Sequence, residues 1–397
     1  MANAFTSTGS SSLGGTAGSA GLVQTAYDRL LEFALRSEPL IRSVADKTPA
    51  RQSIPGSTVV LQKYVDLEKN TTALTETTDP DSVALSTPTQ VSITLAEYGN
   101  SVLVTRALEL FSLADVDPAI ANIIAFNLAD SIDDVAMTTL RGGTNKIFGG
   151  SATSTATVAA ASTLDSADIR KAVAKLRSAK AIGRKGSLYW AGIHPEVSHD
   201  LRAESSSGQG WLLPNQYGSS QDRIWAGEIG NYEGAYYVES ARLYSSKAGA
   251  DQTALATASA VSGVSGAFTI VAANAAFGGR AEVGDKISGT NVGTSAKITA
   301  ISVGATNTTF TVDVANSGTV GTNTLTVTPV TRVFNTIVCG QQAMAQAVAE
   351  EPHVVIGPVV DKLMRHRPMG WYGVLGFARY REEALYRIET GSSIAAL

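Results

Sequence analysis

The sequence predicts an α+β fold built from projecting parts, with a small all-β domain inserted into it. Three stretches carry that expectation. They are a long helix within 115–142, two strands joined by a long polar connection within 51–106, and a segment at 248–331 whose composition differs from its surroundings.

The helix is bounded by good signals. Asp117 suits the N-cap, Pro118 the first helical position, Arg141 the last turn and Gly142 the stop, which places the helix at 117–142. At about 1.5 Å per residue it is a rod of roughly 35–40 Å. Ile124, Leu128, Ile132 and Val135 fall on one stripe, expected to lie on a sheet of the same chain. Asp130, Asp133 and Asp134 fall opposite, together with Phe126 and Met137. A surface carrying both acids and large apolar groups reads as a contact face. The three acids also offer oxygen ligands to a hard cation, but without a glycine-turned loop the contact face is the better reading.

Residues 1 to about 20 are Gly, Ser, Thr and Ala, too poor in apolar groups to fold alone. A helical pattern follows over about 21–46, with Tyr27, Leu30, Leu31, Ala34, Leu35 and Ile41 in register and Pro39 as a break. Residues 1–50 therefore read as an arm whose helix packs on its own domain or docks on something else. Residues 58–67 and 91–105 read as strands, and the polar piece between them, holding Pro80 and Pro88, is too long for a tight turn. A lone two-stranded ribbon is marginal in water, so a projecting hairpin needs a neighbour to cover its apolar face.

Beyond the long helix, 144–161 reads as a linker or loop, and Asp165 caps a helix carrying Ile169, Val173 and Leu176. A strand at 187–193 leads through His194-Pro195-Glu196 into another helix, 208–227 is a loop, and 226–240 holds two strands around a glycine turn. Within 248–330 there is no Trp or Tyr, while short strand patterns (AFTIVA, AKITAISV, TTFTVDV, TLTVT) recur between Gly or Asn turns. Such spacing indicates a small barrel or sandwich. Aromatic character resumes on both sides, which marks the segment as an insertion. The remainder, 332–397, alternates strands with a short helical stretch, AMAQAVAE. It is locally basic through Lys362, Arg365, His366, Arg367, Arg379, Arg381 and Arg387, a face that is solvated, paired, or matched to a neighbour's Asp130, Asp133 and Asp134.

Apolar residues make up 44% of the 397, charged residues 17%, and the net charge is −4. Two readings fit so low a charged fraction: surface hidden in subunit contacts, or a β-rich, Thr/Ser/Gly-rich protein. A single cysteine, Cys339 in an apolar run, excludes a disulfide framework and reads as a buried structural thiol. No apolar run is long enough to span a membrane and the N-terminus lacks a secretory pattern, so synthesis and folding in a cytoplasm are expected. The charge balance argues against a sequence-reading nucleic-acid binder.

No nucleophile elbow, phosphate-binding loop, dinucleotide fingerprint or zinc helix is present, and no catalytic residue, cofactor site or metal site is predicted. His194 and His199 are five apart and do not share a helical face, so His194 before Pro195 reads as a helix-start residue.

The order of these parts, with short motifs along them, resembles the major capsid protein of tailed double-stranded DNA bacteriophages. The motifs are Leu74-Thr75-Glu76 at the hairpin tip, Glu97-Tyr98-Gly99 before the long helix, His194-Pro195, the Gly-Glu-Ile-Gly of 227–230, Gly234, and Val238-Glu239-Ser240. The resemblance covers 20–245 and 332–393 but not the insertion. It implies an N-terminal arm (1–50), an extended hairpin loop (51–106) and a peripheral domain (107–161) holding the spine helix. An axial domain begins at 162–247, and 332–397 returns through both domains. It also implies a non-enzymatic subunit that closes with its own copies, as pentamers and hexamers, into an icosahedral shell around double-stranded DNA. Scaffold, portal and decoration proteins are further implied partners, the virion is the implied location, and no membrane is involved. Tyr27, Leu31, Lys63, Glu76, Asp79, Asp130, Asp133, Asp134, Arg365, Arg367 and Arg379 are the subunit-contact candidates. Some relatives weld the shell through a hairpin lysine, but nothing identifies an acceptor for Lys63 or Lys69 and no cross-link is predicted. Rival readings are an encapsulin-type compartment, an adhesin using 248–331 as an immunoglobulin-like module, and a hydrolase with a non-standard site. The arm and insertion favour the phage shell, the missing export signal disfavours the adhesin, and the missing catalytic constellation disfavours the hydrolase.

Overall fold

The computed structural model describes residues 39–49, 57–67, 69–71, 73–74, 76–77, 82–106, 116–203, 228–255, 258–273, 280–304, 306–358, 363 and 365–394. Tyr27, Leu31, Asp79, the arm helix up to 38 and the loop at 208–227 lie outside them.

The strands before the long helix are β1 (Asp46–Pro49), β2 (Thr58–Lys63), β3 (Thr89–Thr94) and β4 (Ala96–Thr105), and the helix itself is α1 (Val116–Arg141). Next come β5 (Lys146–Phe148), α2 (Ser166–Ser178), β6 (Tyr189–Ile193), α3 (Pro195–Ala203), β7 (Glu228–Tyr232), β8 (Ala235–Glu239) and β9 (Ser245–Asp251). The low-aromatic segment holds β10 (Ala258–Ser262), β11 (Thr269–Ala273), β12 (Lys286–Gly289), β13 (Ile298–Val303), β14 (Asn307–Val312) and β15 (Thr324–Thr328). The chain closes with β16 (Val330–Cys339), β17 (Met344–Ile356), β18 (His366–Arg379) and β19 (Leu385–Thr390). Four strands pair in the order β1-β17-β18-β4. Two compact units emerge, one holding Gly99–Leu128 with Pro352–Tyr372, the other Ser37–Tyr98, Ala129–Glu351 and Gly373–Leu397.

The larger unit is built on a seven-stranded sheet, β5-β19-β16-β6-β8-β7, with β9 also on β16. Alternate residues of its central strands feed two cores, as the two-residue period of a strand requires. Tyr189, Ala191, Ile193, Tyr237, Phe334 and Val338 meet Ile169, Leu176, Val197 and Leu201 of α2 and α3. The intervening Trp190, Ile337 and Cys339 meet Ala136, Met137 and Leu140 of α1, together with Ile41 and Val44. A sheet covered on both faces reads as an unbroken apolar run, which is why YWAGI shows no alternation. Burial pushes the Cys339 thiol up to about 12, so it stays protonated and inert. Asp165 accepts from the Asp168 amide at 3.0 Å as the cap of α2. Glu233 and Gly234 both take positive φ in the two-residue turn between β7 and β8.

The low-aromatic segment folds as a six-stranded sheet, β12-β15-β10-β11-β14-β13. A bridge between Lys286 and Lys297 joins its two edge strands, closing it toward a barrel. Ile270, Ile287, Ile298, Phe310, Leu325 and Val327 form a core drawn from this segment alone. Its stem differs from the expected 248–331. Asp251 pairs with Val330 and Lys247 with Arg332, so 248–251 and 330–331 lie in the body sheet. An ion cluster joins stem and barrel: Lys247 Nζ lies 2.6 Å from the fully buried Asp285 and 2.8 Å from Glu282, whose carboxyl it holds below the usual range.

Other expectations are corrected. Helix α1 starts at Val116, so Asp117 is its second residue and not its cap. Pro118 still falls in the first turn, where no amide needs an intrahelical acceptor. The Gly142 amide continues the helical pattern to the Thr138 carbonyl at 3.2 Å, without a positive φ. Its missing Cβ instead admits the Arg379 guanidinium. AMAQAVAE is strand and not helix, because pairing with β1 and burial of 344–347 override the helix preference of Ala, Met and Gln. The expected linker at 144–161 contains β5, parallel to β19. The arm's helical pattern ends by 45: a 3-10 turn at Ile41–Val44 is followed by β1.

Candidate assembly surfaces

The face of α1 expected to meet a neighbour is partly consumed within the chain. Asp133 is 2% exposed. Its carboxylate accepts from the backbone amides of Leu40 at 3.3 Å and Arg42 at 2.9 Å, and from Arg242 Nε at 3.3 Å. These bonds hold the root of the arm, where Ile41 and Val44 are buried and Arg42 reaches Glu351 at 2.8 Å. Asp130 also pairs with Arg242, while Asp134 stays exposed. Arg379 donates from Nη1 to the Thr139 carbonyl at 3.0 Å and from Nε to Glu382 at 2.9 Å, neutralising the C-terminal end of α1. Asp133 and Arg379 thus act as internal ties, which corrects the expectation of an acidic face meeting a basic one. Arg242 and Glu383 had no sequence signal, because their partners Asp133 and Lys63 lie many residues away.

The hairpin has two parts. At its root, Ile93 is buried against Ala345 and Ala347 with Val59, Leu61, Ala378 and Tyr380 around it. Lys63 Nζ lies 3.1 Å from Glu383, whose carboxyl is held low by its own backbone amide and by Lys63. One face of the root is therefore covered by its own chain, with Val60 left 48% exposed. Beyond it, Tyr64, Val65, Leu67 and Leu85 are exposed, Leu74 is 70% and Val83 71% exposed, and Glu76 faces solvent.

In the smaller unit the indole of Trp371 donates to Asn127 Oδ1 at 2.8 Å, and Asn100 donates to the same oxygen at 3.3 Å. Gly99 of the Glu-Tyr-Gly motif is required here, since a Cβ would stand 2.8 Å from the Trp371 carbonyl. The Arg365 carbonyl accepts from the Arg106 amide at 2.9 Å, and Arg367 Nη2 approaches Met369 Sδ at 3.8 Å.

His194 caps α3: its Nδ1 accepts from the Glu196 amide at 3.3 Å, and its ring packs 4.8 Å from that of Phe334. Burial, aided by Arg332, lowers its pKa from 6.5. The unfolded chain then binds a proton near pH 6.5 that the folded chain refuses, so stability falls as pH drops from 6.5 through the folded value. The urea midpoint is expected to be lower at pH 5.5 than at pH 7.5 by a margin that His194→Asn, a competent cap, narrows. An unchanged margin in His194→Asn excludes this group as the cause.

This fold, with its long helix, hairpin and twin-faced sheet, is similar to those of solved phage capsid chains. The capsid of Ralstonia phage GP4 superposes with a TM-score of 0.59 at 12% identity, over 93% of this chain and 95% of that one. A chain from Mycobacterium phage Che8 does so at 0.51 and 14% identity, over 92% and 96%. The capsid of a native GTA particle, computed with C5 symmetry, gives 0.53 and 12%, over 95% and 98%. No match is found among curated proteins. A family model described as phage capsid protein matches residues 51–393, and the chain belongs to that family. It is a structural capsid subunit.

Proposed function

We propose that this subunit closes with its own copies, as pentamers and hexamers, into an icosahedral shell that encloses double-stranded DNA in the virion, assembled in the host cytoplasm. Its role is structural, without catalysis. The observation that carries this reading is the hairpin beyond residue 63. Six large apolar side chains (Tyr64, Val65, Leu67, Leu74, Val83 and Leu85) face solvent on a ribbon whose root is already packed on its own chain. Exposed apolar groups on so thin an element are stable only when another surface covers them. Glu76 and Asp134 remain contact candidates on this reading, as do Arg365 and Arg367, and the arm residues Tyr27 and Leu31 are proposed to reach along another copy. The barrel, with its own core, rides outward as an inserted domain that leaves closure undisturbed. Many modest contacts acting together suffice for a closed shell.

Purified full-length chain is expected to form closed particles or rings of five and six by negative-stain microscopy. Leu74→Ser with Val83→Ser and Leu85→Ser should leave its melting temperature unchanged and abolish those assemblies. A wild-type chain that stays monomeric at every concentration overturns the proposal. Nuclease-protected duplex DNA in particles from an infected host tests the cargo.

A further inference from the structure

The junction of barrel and body brings three charged side chains to one point. Lys247 stands on β9 of the body sheet, yet its side chain is only 10% exposed and reaches residues of the barrel segment. Its Nζ lies 2.6 Å from Oδ1 of Asp285, which is fully buried, and 2.8 Å from Glu282. Backbone amides hold both oxygens of the Asp285 carboxyl: Val330 donates to Oδ1 at 3.2 Å and Glu282 to Oδ2 at 2.8 Å. Gly284 makes room for the lysine, since a Cβ there would stand 2.9 Å from Lys247 Cβ, and its φ of +98° favours glycine. A cavity of about 270 Å³ opens beside the cluster, lined also by Arg280, Pro329 and Arg332.

A second pair on the same stem shows an ordinary contact. Lys286 lies 2.6 Å from Asp251, but both side chains are more than a third exposed and, among the described residues, no second acid pairs with this lysine. Water solvates that pair and leaves it ionic. Lys247 and Asp285 have no such shield: burial penalises both charges, and a neutral amide would remove them from the interior together. An amine and a carboxyl held in productive contact also react as if at an effective concentration on the order of 10⁵ M or more. An ion pair accounts for each contact singly. Together they supply a nucleophile, a carboxyl with donors on both oxygens, and an acid–base group at the nucleophile.

We propose that Lys247 and Asp285 condense, without a cofactor, into an isopeptide bond that staples the barrel to its stem. Lys247 Nζ passes one proton to Asp285 Oδ1 and, as the neutral amine, attacks Cγ. The Val330 and Glu282 amides hold the oxygens of the tetrahedral intermediate. Glu282 takes a second proton from the nitrogen and delivers it to the departing hydroxyl, which leaves as water into the cavity. One N–C bond forms, one C–O bond breaks, and Glu282 ends as the carboxylate it began as. The Lys247 ammonium holds the Glu282 carboxyl below its usual range, so this group starts ionised and able to accept. The step is a single self-modification without turnover. It needs one chain only and so does not rest on shell formation. The staple ties residues 38 apart in sequence, which restricts the unfolded chain as a disulfide does.

Intact mass spectrometry of the purified full-length chain is the test. Wild type should be lighter than its sequence mass by one water, and its digest should hold the peptides of Lys247 and Asp285 joined through these two side chains. Lys247→Arg keeps the cation but offers no neutral nucleophile, and should show its full sequence mass. Glu282→Gln keeps the backbone amide and the buried pair, and should lose water at least tenfold more slowly after synthesis. This second variant carries the test if Lys247→Arg does not fold. Wild type at its full sequence mass after prolonged incubation at pH 7.5 overturns the proposal, and the cluster is then a permanent ion pair. A water loss confined to Asp285 as a cyclic imide, or the same loss in Lys247→Arg, also overturns it. An unchanged rate in Glu282→Gln removes Glu282 as the proton carrier and overturns the mechanism proposed.

Discussion

Asp133→Ala is expected to cost about 3–5 kcal/mol of stability, the usual loss when one partner of a buried pair is removed. The amides of Leu40 and Arg42 lose an acceptor at once, and so does Nε of the Arg242 guanidinium, which is only 17% exposed and keeps Asp130 alone. The damage should be local first. Hydrogen exchange at 40–44 should rise before the sheet opens, because the arm root is fastened to the body by this carboxylate and by Ile41 and Val44. Asp133→Asn keeps an acceptor and should cost clearly less. A loss below about 1 kcal/mol for Asp133→Ala, in urea titrations followed by circular dichroism, contradicts the internal role and returns the residue to the contact face.

Replacing 252–329 by Asn-Gly should give a folded subunit with a melting temperature within a few degrees of the full chain. Asp251 and Val330 face each other across β9 and β16, so a two-residue turn closes the gap without changing register. The barrel takes its whole core with it, and Lys247, freed of Asp285, returns to water. Removing 248–331 should instead cost several kcal/mol or prevent folding. It deletes the buried Val330 and Thr331, and the Ala250 amide that donates to the Val158 carbonyl at 2.8 Å. Equal behaviour of the two deletions, measured by thermal melting, refutes the stem boundaries.

Both predictions rest on features the sequence exposes unequally. The long helix was legible because 26 residues of helical periodicity form one local signal. The composition of the barrel was equally plain, and four of its six strands were readable as alternating runs. Strands β10 and β12 were not, being four or five residues long with little alternation. The stretch 344–350 misled because Ala, Met and Gln prefer helix locally, whereas a buried position between β1 and β18 outweighs a preference of less than about 1 kcal/mol per residue. The expected acidic contact face failed at Asp133 because its partner, Arg242, lies 109 residues further on and no local pattern announces it.

By itself the sequence determined the kinds of element, their order and the family, since these follow from periodicity, turn residues and short motifs that act within a few residues. The tertiary structure alone decided which charges are ties and which are surfaces, where the hairpin stops being filled by its own chain, and where the barrel joins the body. Those outcomes depend on pairs far apart in the chain, whose energies arise only when folding removes water from between them.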